Sequence, residues 1–449
     1  MVAGIYTPQG MLTNTAFADD STFFVRNNFN LAKLELLLEN YCEVSGAVVN
    51  WGKSALTPLS SKPPPSESKF PLTRIKTPPA TLGYTFPLDQ QNSIITWNSL
   101  IHKMENTAKL LNSRKSLTYA GRVLLCRSLV LSKGWYVATV LSPTLEQAQK
   151  VERLFWEFVF GKGVLHPKRA VAILPKNCGG INAPQIIEEF QTYAAHLYYQ
   201  AMMNPITPWA YHILRKVAPT NIHPNDLAEY FYERSKRSVA NRYSDPTIYM
   251  AIKGWNSIHK QLGELMILDL THKDIRELII PKATPIQPPI LIWQPKLASE
   301  EFKWELLWSK EMPPKIRNLI WRAAFNALPC RRRLRHYTDT DKHCTLCKEP
   351  EDSIHMLISC TKLRQFWRQI NNLTLYVGVE NEATANIVYG IAYYSVYLSN
   401  IFSRMHGTNY KVQDIYWKFQ ALSKHFSLRL PQHITKDWPS VEDTNKFLR

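Results

Sequence analysis

The chain contains no run of eighteen apolar residues free of charge. The richest stretch, Val123 to Leu141, is interrupted by Arg127 and Lys133, so no transmembrane helix is expected. The first residues, Met1-Val-Ala-Gly-Ile-Tyr-Thr-Pro, lack the basic start and apolar core of a secretory signal, which points to an intracellular protein. Glycine is scarce, at 16 of 449 residues, and 45% of the chain is hydrophobic; this excludes a low-hydrophobicity disordered protein. Acid is also short, with 36 Asp and Glu against 54 Lys and Arg. The formal charge of +18 draws polyanions and says nothing of fold. RNA or DNA is therefore the expected partner class, membrane is not, and the oligomeric state is left open. The seven cysteines are an odd count: Cys42, Cys126, Cys178 and Cys330 are scattered, whereas Cys344, Cys347 and Cys360 cluster. In a reducing compartment this pattern reads as a metal site plus buried thiols.

What is present implies two or three domains, because 449 residues exceed one ordinary core. The expected class is α+β and mostly helical. Two short extended runs, Thr13 to Ala18 and Ser21 to Arg26, flank Asp19-Asp20 and predict a β-hairpin with an acidic turn. Apolar residues at helical spacing from Leu31 to Tyr41 predict a helix ended by Ser45-Gly46, with a strand after it. Prolines between Ser60 and Pro79 predict a loop, and Leu82 to Phe86 is strand-like. Trp97, Leu100, Ile101, Met104, Ala108 and Leu111 then form one apolar helical stripe, and Thr144 with Gln147 makes a capping box for a later helix closing at Gly161. The resulting boundaries are 1–60, 61–96, 97–203, 204–300, 301–375 and 376–449.

Two constellations carry chemistry. An acidic pair on a turn, Asp19-Asp20, can hold Mg²⁺ through carboxylate oxygens, as two-metal phosphoryl transfer requires; alternatively, it is an Asx turn capping backbone amides. The second is Cys344-x-x-Cys347, seven residues, His355, four residues, Cys360. Three thiolates and an imidazole suit closed tetrahedral Zn²⁺, with His343 as the rival ligand. His355 and Cys360 lie about 140° apart on an ideal helix, so both reach one metal only if a helix begun near Ser353 ends or loosens before Cys360.

Cations are concentrated in two places. Seven Lys or Arg and a single acid, Glu105, lie between Trp97 and Trp135, among them Arg122 and Arg127. Seven more and no acid lie between Pro313 and Thr338: Lys315, Arg317, Arg322, Arg331, Arg332, Arg333 and Arg335. Such runs suit phosphate contacts; a solvated basic face or an import signal is the competing reading. In the second, Ile316, Leu319, Ile320, Ala323 and Ala327 share one helical face with Lys315 and Arg322 opposite, and Trp321 is expected in the core.

The ordered succession Phe17-Ala18-Asp19-Asp20, then Ser45-Gly46-Ala-Val-Val-Asn50-Trp-Gly-Lys53-Ser54, then Leu82-Gly83-Tyr84 resembles the reverse transcriptases of non-LTR (LINE-type) retrotransposons. Pro314 to Pro329, Cys344-x-x-Cys347, Glu351 to Cys360 and Phe366-Trp367 resemble the zinc-binding domain at the C-terminal end of many such proteins. Gly121-Arg122, Phe155-Trp156 and Gly179-Gly180-Ile-Asn182 look like their post-palm region. The resemblance implies a partial reverse transcriptase palm over 1–60, a primer-grip-like hairpin after the proline loop within 61–96, a helical thumb-like region over 97–203, a connector over 204–300 and the zinc domain over 301–375. It makes Asp19 and Asp20 the palm metal pair. It offers nothing for the tail, 376–449. Eighteen residues precede Asp19 and none is acidic, so the third palm carboxylate and the fingers are missing from this stretch. The expectation is a truncated RNA-directed DNA polymerase, binding Mg²⁺ usefully only if the palm is completed, retaining zinc and nucleic-acid binding, and nuclear if functional. The alternative is a non-enzymatic, zinc-dependent nucleic-acid-binding protein.

Overall fold

The computed structural model describes residues 5–7, 10–17, 20–54, 56–57, 80–81, 84–85, 90–113, 117–161, 166–237, 240–262, 270–280, 282–288, 304–334, 342–378, 382–436 and 438–440. These are mostly helical. Strands occur only as three antiparallel pairs among the described residues: β1 (Ile5–Thr7) with β2 (Gly10–Leu12), β3 (Asn14–Phe17) with β4 (Asp20–Phe23), and β5 (Ala80–Thr81) with β6 (Tyr84–Thr85).

The β3–β4 register pairs Phe17 with Asp20. Asp20 therefore begins the second strand instead of sitting in the turn. Helix α1 (Asn28–Ser45) starts on an Asn27 cap, whose side chain accepts from the Asn30 amide, and stops at Gly46 with φ +71, the left-handed conformation that glycine adopts without strain. The strand expected after it does not form. The Asn50 carboxamide instead accepts from the Lys53 amide at 3.1 Å, and the Ser54 hydroxyl donates to the Asn50 carbonyl at 2.9 Å, so local side-chain bonds close a turn where a ladder was expected.

The chain divides into two compact units built from interleaved stretches. The first comprises Met1–Leu110, Leu129–Leu154 and Gln185–Pro281. Helix α2 (Gln90–Asn112) buries Trp97, Ile101, Met104 and Ala108, the stripe legible in the sequence. The Trp97 indole donates to the Leu141 carbonyl at 3.1 Å. Helix α3 (Leu145–Phe160) opens on the reciprocal Thr144 and Gln147 bonds of a capping box, at 3.0 and 3.1 Å. The centre of this unit is α4 (Ile186–Met203) packed on α5 (Pro246–Leu262). There Trp255 donates to the Ala195 carbonyl at 3.1 Å, and Gly254 leaves no room for a Cβ, which would meet the Gln191 carbonyl at 2.9 Å. Helix α6 (His272–Ile279) joins α4 through Arg276, which donates to Glu189 at 2.6 and 2.8 Å.

The second unit comprises Leu111–Ser128, Phe155–Pro184 and Lys282–Arg449. Its helices include α7 (Pro314–Ala324), α8 (Arg364–Gly378), α9 (Glu382–His406) and α10 (Val412–Ser427). Residues 382–436, for which the sequence suggested no chemistry, thus form two long helices and one short one. Helix α9 lies against α7 closely enough that a Cβ on Gly390 would meet Ile316 at 2.6 Å. Trp321 is fully buried, its indole donating to the Gly179 carbonyl at 2.9 Å. Gly179 has φ +97 under the Trp304 ring, and a Cβ on Gly180 would lie 1.9 Å from the Leu174 carbonyl oxygen. The Gly-Gly pair is therefore a packing requirement.

Candidate metal centre and nucleic-acid interface

Cys344 and Cys347 sit on a tight turn. The Cys344 amide donates to Glu349 O at 2.7 Å, the Lys348 amide returns to Cys344 O at 2.9 Å, and Lys348 takes φ +67 to close it. The other two ligand candidates lie on a short helix started by Asp352, whose carboxylate accepts from the His355 amide at 2.7 Å. This helix widens to π-helical spacing over His355–Ser359 and ends at Cys360, which has φ −58 and ψ 124. The loosening demanded by the five-residue separation is thus present, and it turns Cys360 back toward His355.

The four side chains converge. The sulfurs and the imidazole nitrogen of Cys344, Cys347, His355 and Cys360 all lie within 4.8 Å of one another. The Cys344 and Cys360 sulfurs are 3.9 Å apart, and Cys347 Sγ is 3.1 Å from His355 Nε2. With Zn–S of about 2.3 Å and Zn–N of about 2.0–2.1 Å, tetrahedral zinc sets sulfurs about 3.8 Å apart and sulfur to nitrogen about 3.6 Å. The donor set fits Zn²⁺ in both kind and spacing. His343 is not part of the group; it pairs with Pro350 across the turn.

The electrostatics agree. Cys344 is drawn down to about 4, first by the hydrogen bond from Cys360 and then by the Cys347 and Leu346 amides, against the opposing effect of burial. Cys360 is raised, chiefly because its proton is shared with Cys344. A divalent cation that displaces this proton meets thiolates already stabilised by backbone amides. A metal held by four protein donors has no open position for substrate, so the site can organise structure and is closed to catalysis.

The shell around the cluster was not legible in the sequence. Glu351 is fully buried, with one carboxylate oxygen accepting from the Arg331 amide at 3.0 Å and the other from Asn400 of α9 at 2.9 Å. Arg404 of α9 donates to the Pro329 carbonyl and, at 3.9 Å, to the Met356 sulfur. Burial lowers the Arg404 guanidinium, and Glu351 partly restores it. Asn400 and Arg404 lie 40 and 44 positions beyond Cys360, the last ligand, with no periodic or spacing signal of their own.

The described candidates Arg122, Arg127, Lys315, Arg322, Arg331, Arg332 and Arg333 lie in the second unit. The Tyr119 amide donates to Asn318 Oδ1 at 3.1 Å, tying the segment that carries Arg122 and Arg127 to α7. Lys315 and Arg332 are exposed, Arg127 is exposed and reaches the Asn182 carbonyl at 3.5 Å, and Arg331 and Arg333 are half-buried. Arg122 donates to the Phe158 carbonyl at 2.7 Å. Arg322 does not project outward. Its guanidinium covers the Tyr119 ring at 5.5 Å and donates to the Ala327 carbonyl at 3.1 Å. Arg335 and Asp19 lie outside the described residues, and of Asp20 only the backbone is described.

Comparison with known families places residues 292–367 in a match to the model for zinc-binding in reverse transcriptase. No curated protein matches the chain. The match and the Cys₃His cluster together support a reverse-transcriptase zinc-binding domain in this stretch, hence a reverse-transcriptase-related protein compatible with Zn²⁺. No described helix is long and apolar enough to cross a membrane.

Proposed function

We propose that this chain is the nucleic-acid-binding, C-terminal portion of a LINE-type reverse transcriptase, with a zinc-organised module over 301–375 and a palm remnant over 1–60. The observation that carries it is the convergence of Cys344, Cys347, His355 and Cys360 inside the stretch that matches zinc-binding in reverse transcriptase. The antiparallel β3–β4 pair around the acidic dipeptide supports the palm assignment, as does the β5–β6 hairpin at Tyr84. So does the unusual surface of α1, which exposes Phe29, Leu36, Leu37, Tyr41 and Val44, an apolar face that the remaining palm would cover.

Asp19 and Asp20 are the palm metal pair in this reading. Two adjacent carboxylates alone hold Mg²⁺ weakly, so in this reading the pair serves catalysis only together with a further palm acid. Binding runs through phosphates contacted by Lys315, Arg127, Arg331, Arg332, Arg333 and Arg335, and it tolerates sequence because neither basic run offers an array of side chains for reading base edges. Arg122 and Arg322 position this surface through Phe158, Ala327 and Tyr119. The nucleus is the compartment such a protein would serve.

The test is affinity for duplex and single-stranded oligonucleotides across a salt series. If about six phosphates are neutralised, log affinity falls against log salt with a slope near −5 on duplex and about −4 on single strands. No measurable binding at low salt would contradict the proposal.

A further inference from the structure

Outside the metal cluster, the second unit holds a cleft whose lining differs in kind from a solvated helix face. It lies between the C-terminal half of α9 and the start of α10, with a volume of about 330 Å³, lined by Ser399, Phe402, Tyr410, Asp414, Trp417 and Lys418 among others. Trp417 is 63% exposed and Phe402 54%, so two large aromatics remain in water on helices that bury their other faces well. Lys418 places its ammonium 4.9 Å from the Phe402 ring centre. The Ser399 side chain is fully buried, and its hydroxyl has no hydrogen-bond partner. A buried hydroxyl of this kind is rare unless something else satisfies it.

The chain segment that builds the cleft is predominantly basic, although Asp414 is part of the lining. Residues 400–436 carry Arg404, Lys411, Lys418, Lys424, Arg429 and Lys436 against a single acid, Asp414. The Asp414 carboxylate is engaged at the start of α10, accepting from the Lys411 amide at 2.8 Å. The cleft is also wired to the basic segment beside the metal cluster. The Tyr410 hydroxyl is 3.5 Å from Asn400 Nδ2, Asn400 donates to Glu351, and Glu351 accepts from the Arg331 amide.

We propose that this cleft is a stacking subsite for an unpaired base of single-stranded nucleic acid. Trp417 is the platform, Lys418 contacts the flanking phosphate, and the Ser399 hydroxyl meets the polar edge of the base. An exposed aromatic, a cation and an unsatisfied hydroxyl in one cleft are three elements that a nucleotide with its base turned outward satisfies together. In a duplex the bases are stacked on one another and cannot enter. The inference rests on the nucleic-acid reading above and adds to it a preference for strands with free bases, located on helices that lie beyond the zinc-binding match.

The experiment uses the full chain loaded with zinc and three fluorescein-labelled probes: a single-stranded oligonucleotide, the same strand built from abasic residues, and a duplex of equal length. The abasic strand carries the same phosphates and no bases, so stacking is isolated from charge. The base-bearing strand should bind about tenfold more tightly than the abasic one, with a similar salt slope. Trp417→Ala should abolish that ratio while retaining zinc and the salt slope, and Trp417→Phe should keep most of it. Equal affinity of the unaltered chain for the two strands overturns the subsite and leaves phosphate binding standing. A ratio that survives Trp417→Ala does the same and assigns the cleft to another occupant. Failure to bind any of the three probes overturns the nucleic-acid reading together with the subsite.

Discussion

Tyr119 and Asn318 are 199 residues apart in sequence and 3.1 Å apart in space, the backbone amide of one donating to the side-chain oxygen of the other. Thr118 already caps the helix that begins at Tyr119 by accepting from the Gly121 amide, so Asn318 satisfies a second of its free amides. The bond fixes the Arg122–Arg127 segment against the helix that leads into the metal cluster. Asn318→Ala should destabilise the second unit by about 1–2 kcal/mol. Because the bond is remote from the ligands, zinc content should not change. Chemical denaturation followed by the buried tryptophans checks the first expectation and metal analysis the second.

Glu351 and Asn400 should bind the fate of the metal cluster to α9. Removing everything after Gly378 leaves the buried Glu351 carboxylate without the Asn400 donor and uncovers Ile316, which packs on Gly390. The shortened protein should hold zinc at least tenfold more weakly than the full chain, a loss of the size that outer-shell partners contribute. Competition against a chromophoric chelator measures it. Equal zinc affinity in the two proteins would show that the module stands without its C-terminal helices.

Gly180 should not tolerate a side chain. A Cβ placed there would lie 1.9 Å from the Leu174 carbonyl oxygen, and backbone cannot yield as a flexible side chain can. Gly180→Ala should cost ~3 kcal/mol or more and reduce soluble yield. Gly161→Ala makes the contrasting case: φ is +75 but nothing lies within 4 Å, so only the conformational penalty of about 1 kcal/mol is expected.

The first unit should weaken in mild acid. His196 and His272 have rings 5.3 Å apart, and burial lowers both from the ordinary value of 6.5. His272 further lowers His196, while Glu189 partly opposes the shift at His272. The unfolded histidines take protons near pH 6.5 and the folded ones only below it, so the stability is whole above pH 6.5 and is lost as pH falls beneath. Amide exchange at α4 and α6 should accelerate between about pH 6.5 and 5, and less so in His272→Gln. Reading exchange at these helices separates the effect from protonation of the cysteine cluster.

The sequence made the ligand set legible because it is local: four residues within seventeen, at spacings that only a turn and a loosened helix can satisfy. The capping box at Thr144, the Gly46 stop and the buried Trp321 were legible for the same reason. Arg322 was not. Helical spacing correctly opposes it to Ile316 and Ile320, yet it cannot reveal that Tyr119, two hundred residues upstream, supplies a ring for the guanidinium to cover. The strand after α1 failed because Asn50 offers the backbone side-chain bonds that compete with a ladder. The role of 382–436 stayed hidden because Asn400, Arg404 and Tyr410 read as ordinary helix and loop residues until Glu351 is placed beside them.

The central claim is that Cys344, Cys347, His355 and Cys360 hold one zinc ion. Elemental analysis of the full chain, purified without chelator, measures it directly alongside Cys347→Ser. One zinc per chain is expected, and in the variant a loss of zinc together with local unfolding around residues 342–363. A full chain free of zinc that still refuses added Zn²⁺, or a Cys347→Ser protein that holds zinc as firmly as the unaltered one, would contradict it.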